Sequence, residues 1–223
     1  MKYRCIIFDL DGTLADTIAD IASAANRALV FNDFPPLPVN VYTGLVGWGI
    51  KALALNALAQ VQQKEVSAIP EETAQKVADD TMRFYAEEPL VQTKPYPGIT
   101  ELLSKLAQKK VSLAILSNKP DPLAQTVADG LFPRQPFTLV RGEIPGIERK
   151  PDPTAVWELL AELDKTPSDT IFAGDSEIDM KCARAAGCFP LGVSWGFRDR
   201  STLEEAGAAV IIDRPMELFE KFF

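Results

Sequence analysis

Strand and helix patterns alternate through the second half of this 223-residue chain. Apolar runs typical of buried strands are separated by stretches in which apolar residues recur at helical spacing. The predicted strands are residues 5–8, 111–116, 137–140, 170–173, 189–193 and 209–212. The predicted helices between and after them are residues 98–109, a helix from about 122, 154–163, 178–186, 203–206 and a final helix. This alternation predicts an α/β fold with a doubly wound parallel sheet.

Residues 15–94 have a different character, with helical patterns and no convincing strand. The predicted helices are residues 16–31, 50–63 and 70–86, and residues 39–49, which contain three glycines, are predicted to form a tight loop. A proline- and glycine-rich segment at 95–98 marks the end of the block. We therefore predict an α/β core domain of residues 1–14 and 95–223, with an inserted all-helical domain of residues 15–94.

The composition excludes several kinds of chemistry. The chain has no histidine, which removes Ser-His-Asp and Cys-His catalysis and histidine metal ligands. Carboxylates, lysines and hydroxyl groups must therefore carry any reaction. The net charge of −8 disfavours nucleic acids and anionic membranes as partners. An anionic substrate remains compatible with the sequence if local cations or a metal reverse the field at the site.

The three cysteines indicate a reducing compartment. They form no Cys-x-x-Cys pair, and their number is odd, so we expect free thiols. No signal peptide or long apolar span is visible in the sequence. These features predict a cytoplasmic protein.

Two aspartates, Asp9 and Asp11, follow the first predicted strand, and Gly12 then turns the chain. Ligands of open α/β sheets bind at the carboxyl ends of strands, where these residues are expected to lie. Two carboxylates at ~4 Å repel by about 4 kcal/mol at an effective dielectric constant of ~20. A proton or a bound cation relieves such crowding, although an acidic, solvated turn would give the same pattern.

Polar residues also follow the second strand, at Ser117 and Asn118, and a later loop places Lys150 before a proline. A hydroxyl group and the N–H groups of a turn suit phosphate oxygens, but Ser and Asn are also common helix caps. A lysine in a rigid turn is a fixed cation for a phosphoryl group, although most lysines are simply solvated.

Two further aspartates, Asp175 and Asp179, follow the predicted strand at residues 170–173. Their spacing of four predicts that they lie near one face of a helix. Oxygen ligands of this kind suit Mg²⁺, while a helix cap and an acidic first turn would explain the same residues without a metal. Each segment has an ordinary structural explanation, but their recurrence at four strand ends of one predicted sheet favours a shared site.

In these segments the chain resembles the phosphatases of the haloacid dehalogenase superfamily. The four motifs of that superfamily match Asp9-Leu10-Asp11-Gly12-Thr13-Leu14, Ser117-Asn118-Lys119, Lys150-Pro151 and Gly174-Asp175-Ser176-x-x-Asp179. The helical block resembles the cap domain inserted after the first motif. The phosphoglycolate-phosphatase-like subfamily is the most similar group, so the resemblance implies a Rossmann-like core with a helical cap.

The resemblance also implies a mechanism. Asp9 would be the nucleophile and form an aspartyl-phosphate, while Asp11 would serve as general acid and then as general base. Mg²⁺ would be bound by Asp9, the main-chain carbonyl of Asp11 and Asp175, with Asp179 as a ligand or in the outer shell. The substrate would be a small phosphorylated metabolite.

The remaining roles implied by the resemblance concern substrate binding. The phosphoryl oxygens would be held by Gly12, Thr13, Ser117, the Asn118 amide and Lys150. The cap would close over the substrate, with Thr43, Gly44, Trp48 and Lys51 as the candidates for specificity.

Several alternatives stay open at this point. A mutase similar to β-phosphoglucomutase, a phosphonatase or a pyrophosphatase would share the motifs, and a phosphate-ligand or partner-binding module without catalysis would share the fold. Residues 195–198, after the fifth strand, are expected to contact either the cap or an oligomer partner.

Overall fold

The structure is a computed structural model that describes residues 2–133 and 137–223. The chain forms two compact units, one of Met1–Asp16 and Lys94–Phe223 and the other of Thr17–Thr93. None of the helices in these described ranges is long and apolar enough to cross a membrane.

The first unit is built on a six-stranded parallel sheet. The strands of the chain are β1 (Cys5–Phe8), β2 (Ala15–Asp16), β3 (Lys94–Pro95), β4 (Ser112–Pro120), β5 (Phe137–Glu143), β6 (Thr170–Gly174), β7 (Phe189–Val193) and β8 (Val210–Ile212). Their order in the sheet is β5-β4-β1-β6-β7-β8, while β2 and β3 pair separately as a short antiparallel ladder. This arrangement confirms the predicted doubly wound α/β fold.

Helices follow the strands as the sequence pattern predicts. They are α1 (Ile18–Phe31), α2 (Val39–Leu45), α3 (Ile50–Gln62), α4 (Glu71–Glu87), α5 (Ile99–Gln108), α6 (Asp121–Leu131), α7 (Thr154–Glu162), α8 (Glu177–Ala186), α9 (Arg200–Glu205) and α10 (Met216–Phe222). Short 3₁₀ turns occur at Val66–Ala68 and Pro167–Asp169.

The central strand β1 explains why the site lies where it does. Ile6 pairs with Leu113 of β4 on one side and with Ile171 of β6 on the other, and all three strands run parallel. Alternate side chains of β1 enter two apolar clusters, one with Ile6 and Phe8 and the other with Cys5 and Ile7. Because the strands are parallel and adjacent, their carboxyl ends meet at one edge of the sheet.

The second unit contains α1 to α4, and its α2 corrects one sequence-based expectation. Residues 39–49 were predicted to form a glycine-rich loop, but Val39–Leu45 is helical. The reason is tertiary packing: Tyr42 is fully buried and its hydroxyl donates to Asn26 Oδ1 at 2.7 Å. Burial of one aromatic side chain thus outweighs the low helix propensity of Gly44.

A second correction concerns the start of α1. The helix was predicted from residue 16, but Ala15 and Asp16 form β2 and pair with Pro95 and Lys94 of β3. The helix therefore begins at Ile18. Within the second unit, the buried carboxylate of Asp20 accepts hydrogen bonds from the main-chain N–H groups at 92 and 93.

Candidate active site

Three buried carboxylates meet at the carboxyl edge of the sheet. Asp9, Asp175 and Asp179 each offer one oxygen, and these oxygens all lie within 4.8 Å of one another. Asp9 directly follows β1 and Asp175 directly follows β6, its neighbour in the sheet. The parallel pairing of two adjacent strands therefore brings together residues far apart in the sequence.

Lys150 lies between two of these carboxylates. Its ammonium group is 2.8 Å from Asp9 Oδ1 and 2.7 Å from Asp179 Oδ1, and its side chain is only 3% exposed. Although burial alone would lower the pKa of this lysine, the Asp179 and Asp9 carboxylates raise it above its ordinary value. Lys150 is therefore a fixed buried cation beside Asp9.

The Asn118 side chain holds the main chain of Lys150 in place. Asn118 Nδ2 donates to the Lys150 carbonyl at 2.8 Å, and Asn118 Oδ1 accepts from the Lys150 N–H at 2.9 Å. The Asn118 amide was predicted to hold a phosphoryl oxygen. The structure adds a further contact, in which the side chain joins the end of β4 to the loop that carries Lys150.

The first turn of α8 holds Asp179. Ser176 is the N-cap, and its N–H and hydroxyl groups donate to Asp179 Oδ2 at 3.1 and 2.6 Å. The spacing of four predicted that Asp175 and Asp179 lie near one face of a helix, but α8 begins only at Glu177. The capping box, rather than helical periodicity, fixes the position of Asp179. The same side chain therefore takes part in capping the helix and belongs to the acidic cluster.

Asp175 is held by groups from two loops. Thr13 Oγ1 donates to Asp175 Oδ1 at 2.8 Å, and the Phe197 N–H donates to Oδ2 at 2.8 Å. Trp195 Nε1 in turn donates to the Thr13 carbonyl at 3.0 Å. Residues 195 and 197 therefore contact the site itself, a role that the sequence analysis missed. The sequence could have indicated this role, because the segment also follows a predicted strand of the same sheet.

Two glycines leave room for the Asp175 side chain. Gly12 has a φ of +88°, which L-residues rarely adopt, and a Cβ there would overlap the Asp175 carboxylate. A Cβ at Gly196 would overlap the Asp175 side chain as well. The main chain must approach Asp175 closely at both positions.

Asp11 pairs with a second buried lysine. Lys119 Nζ lies 3.1 Å from Asp11 Oδ1, and the two side chains are 4% and 10% exposed. The Lys119 N–H donates to the hydroxyl of Ser117 at 3.2 Å, and Ser117 is also buried. Ser117 was a predicted site residue, whereas Lys119 appeared only within a motif and received no role.

The site holds more negative than positive charge. When all four carboxyl groups are ionised, Asp9, Asp11, Asp175 and Asp179 face only the two ammonium groups of Lys119 and Lys150, so four negative charges less two positive charges leave an excess of two. Burial raises the pKa of Asp9 well above its ordinary value, against the effect of Lys150. Burial, assisted by Asp179, raises the pKa of Asp175 to about 7.

Buried carboxylate oxygens with an excess of two charges fit a divalent cation. Such hard oxygen ligands are the type that Mg²⁺ and Ca²⁺ prefer. The raised pKa values have the same origin, because a buried carboxylate cluster without a cation favours protonation. The donor set of Asp9, Asp175 and Asp179 is therefore suited to a divalent metal ion.

The predicted specificity residues lie in the second unit. Thr43 and Gly44 are in α2, where Thr43 Oγ1 donates to the Asn40 carbonyl at 2.8 Å. Trp48 is exposed, and Lys51 forms an exposed ion pair with Glu71 at 2.8 Å.

The sheet order and the polar groups at its strand ends define a hydrolase of the haloacid dehalogenase type. The profile of the haloacid dehalogenase-like hydrolase family matches residues 6–193, and the chain belongs to that family. The family model confirms that the protein is a hydrolase, and together with the relatives named below it confirms the expected class, a phosphatase.

Relatives within the family are named phosphoglycolate phosphatase. The protein from Chromobacterium violaceum is 32% identical over 97% of this chain and 95% of its own length. The protein from Neisseria meningitidis is 32% identical over 92% of this chain and 86% of its own length. A crystal structure from Lactobacillus delbrueckii subsp. bulgaricus, provisionally named a phosphoglycolate phosphatase, has a TM-score of 0.90 and 34% identity, covering 99% of this chain and 98% of that one. The resemblance predicted from the motifs is confirmed.

Proposed function

We propose that this protein is a Mg²⁺-dependent phosphatase that hydrolyses a small phosphate monoester of the phosphoglycolate kind through an aspartyl-phosphate on Asp9. The observation that carries the proposal is the buried cluster in which Asp9 lies beside Lys150, Asp175 and Asp179. The names of relatives at about 30% identity over most of the chain support the substrate class.

In the first step, an oxygen of Asp9 attacks the phosphorus atom and the bond from phosphorus to the ester oxygen breaks. The electron pair of that bond goes to the leaving oxygen, which takes a proton from Asp11 and departs as an alcohol. Lys150, held by Asn118, neutralises charge beside Asp9 as the phosphoryl group arrives.

In the second step, a water molecule attacks the phosphorus atom of the aspartyl-phosphate. Asp11, now a carboxylate, takes a proton from that water, and the bond from phosphorus to the Asp9 oxygen breaks. Inorganic phosphate is released and both aspartates return to their starting forms. One carboxyl group can act in both steps because the proton it gives in the first is recovered in the second.

Asp9, Asp175, Asp179 and the main-chain carbonyl of Asp11 would hold the Mg²⁺ ion. When bound, the ion neutralises the carboxylates and the charge of the transferring phosphoryl group.

The phosphoryl oxygens would be bound by main-chain and side-chain donors at the same strand ends. These are Gly12, Thr13, Ser117, the Asn118 N–H and Lys150. Because the Thr13 hydroxyl donates to Asp175, we assign phosphate binding at this position to its main-chain N–H. Residues 15–94 would form the cap, with Thr43, Gly44, Trp48 and Lys51 contributing to specificity.

The test is phosphate release from a panel of monoesters, including 2-phosphoglycolate and small sugar phosphates, with and without Mg²⁺. We expect metal-dependent turnover by the wild type and none by Asp9→Asn, which cannot form the acyl phosphate. The matched control is Asp129→Asn, the same change at an exposed position of α6. Full turnover by Asp9→Asn would refute the assignment of the nucleophile. No release by the wild type under either condition would favour a binding module.

A further inference from the structure

The pair of Lys119 and Asp11 is a feature that the proposed mechanism does not use. A lysine side chain that is 4% exposed is costly to bury unless it is paired. Its ammonium group lies 3.1 Å from Asp11 Oδ1, at the edge of the sheet where Asp9 is found. The two buried lysines thus contact different carboxylates: Lys150 contacts Asp9 and Asp179, and Lys119 contacts Asp11.

The main chain next to Lys119 is held by neighbouring strands. Lys119 belongs to β4, which pairs with β1 as far as Ile115 and with β5 again at Pro120, after a register shift between Leu116 and Pro120. The Lys119 N–H donates to Ser117 Oγ. A Cβ at Gly142 would lie 2.5 Å from the Lys119 carbonyl, so β5 approaches this residue closely. The ammonium group therefore extends from a fixed origin.

We propose that Lys119 is a positioning residue that orients the Asp11 carboxyl group toward the leaving oxygen, an inference that rests on the proposed function. Contact of the ammonium group with Oδ1 restricts rotation of the carboxyl group and so sets the direction of Oδ2. The same charge stabilises the carboxylate that remains after Asp11 has protonated the leaving oxygen.

The leaving group distinguishes this role from general support of the fold. An alkyl phosphate such as 2-phosphoglycolate releases a poorly acidic alcohol and depends on the general acid. p-Nitrophenyl phosphate releases a much more acidic phenol and needs little proton transfer. Removal of Lys119 should therefore affect the two substrates unequally, whereas a structural defect would lower both rates alike. The value of kcat/KM reports the step in which the leaving group departs.

The experiment compares kcat/KM for both substrates in the wild type and in Lys119→Met, with Mg²⁺ present. We expect a fall on the order of 10²-fold for 2-phosphoglycolate and of less than about threefold for p-nitrophenyl phosphate. Lys119→Gln, measured in parallel, keeps a hydrogen-bond donor and covers the case in which the methionine variant does not fold. The kcat/KM of Lys119→Gln should fall less than that of Lys119→Met, and the fall should again be larger for 2-phosphoglycolate than for p-nitrophenyl phosphate.

The matched control is Lys105→Met, which removes an exposed lysine paired with Glu101 on α5 and should change neither rate. An equal fall for both substrates, or no fall for either, would overturn the inference. A wild type inactive on both substrates would instead refute the proposed function.

Discussion

The unfolding free energy of the metal-free protein should fall as the pH rises from about 5.5 to 8. Burial raises the pKa of Asp175 from 3.8 to about 7 and that of Asp9 well above its ordinary value. A carboxyl group with a raised pKa in the folded state binds a proton more tightly there than in the unfolded chain. Its stabilising contribution is complete below the unfolded pKa and is lost as the pH rises through the folded pKa.

The size of the effect follows from the two pKa values of Asp175. A group with a folded pKa near 7 and an unfolded pKa of 3.8 lowers stability by about 2 kcal/mol between pH 5.5 and 8. Asp9 acts in the same direction. Few other groups titrate in this window, because the chain has no histidine and burial raises the pKa of the thiols of Cys5, Cys182 and Cys188 to about 11, 12 and 12.

Urea unfolding across this pH range, with chelator and then with Mg²⁺, measures the effect. Mg²⁺ should flatten the dependence, because a cation favours the ionised carboxylates and stabilises the folded state most at high pH. In chelator, the fall in unfolding free energy between pH 5.5 and 8 should be about 2 kcal/mol smaller in Asp175→Asn than in the wild type. The control Asp213→Asn should retain it, since the exposed Asp213 has a pKa lowered by its hydrogen bond from Ser194. A flat or rising stability in chelator, or an unchanged slope in Asp175→Asn, would refute the reasoning.

Two further predictions concern the same cluster. Lys150→Met leaves the Asp9 and Asp179 carboxylates buried without their shared cation and should lower the unfolding free energy by about 3–5 kcal/mol. Adding Asp179→Asn to Lys150→Met should recover part of the lost unfolding free energy, as measured by urea unfolding in a double-mutant cycle. A double variant less stable than Lys150→Met would contradict this. Gly196→Ala should lower kcat/KM on the order of 10²-fold, because the new Cβ displaces the Asp175 side chain, whereas Phe197→Ala keeps its N–H donor and should change it little. An unchanged kcat/KM in Gly196→Ala would mean that Asp175 has room to move.

The alternation of strands and helices was sufficient to predict the α/β core, because buried parallel strands and amphipathic helices have distinct periodicities. The elements that escaped prediction depend on contacts distant in sequence. The helix α2 contains Gly44 and depends on burial of Tyr42. The short strand β2 exists only because residues 94 and 95 pair with it.

The same distinction applies to the site. Aspartates at strand ends are visible in the sequence because their positions follow from the ends of apolar runs. Lys119 was missed because the strand was predicted to end at residue 116, and a lysine in a turn is expected to be solvated. In the structure β4 continues to Pro120, and Lys119 is buried. Gly196 was missed because its role is to leave space for a side chain 21 residues earlier in the chain.

The charges of the site explain how a protein with a net charge of −8 could bind a phosphate dianion. With every group in its charged form, four carboxylates and two lysines give a local charge of −2, and the proton that the proposed general-acid role requires on Asp11 makes it −1. A divalent cation then reverses the sign to +1. Under the proposed mechanism the acidic cluster therefore attracts its substrate only after the cation is bound. Removing the metal should weaken the free energy of phosphate binding by more than it lowers the free energy of unfolding.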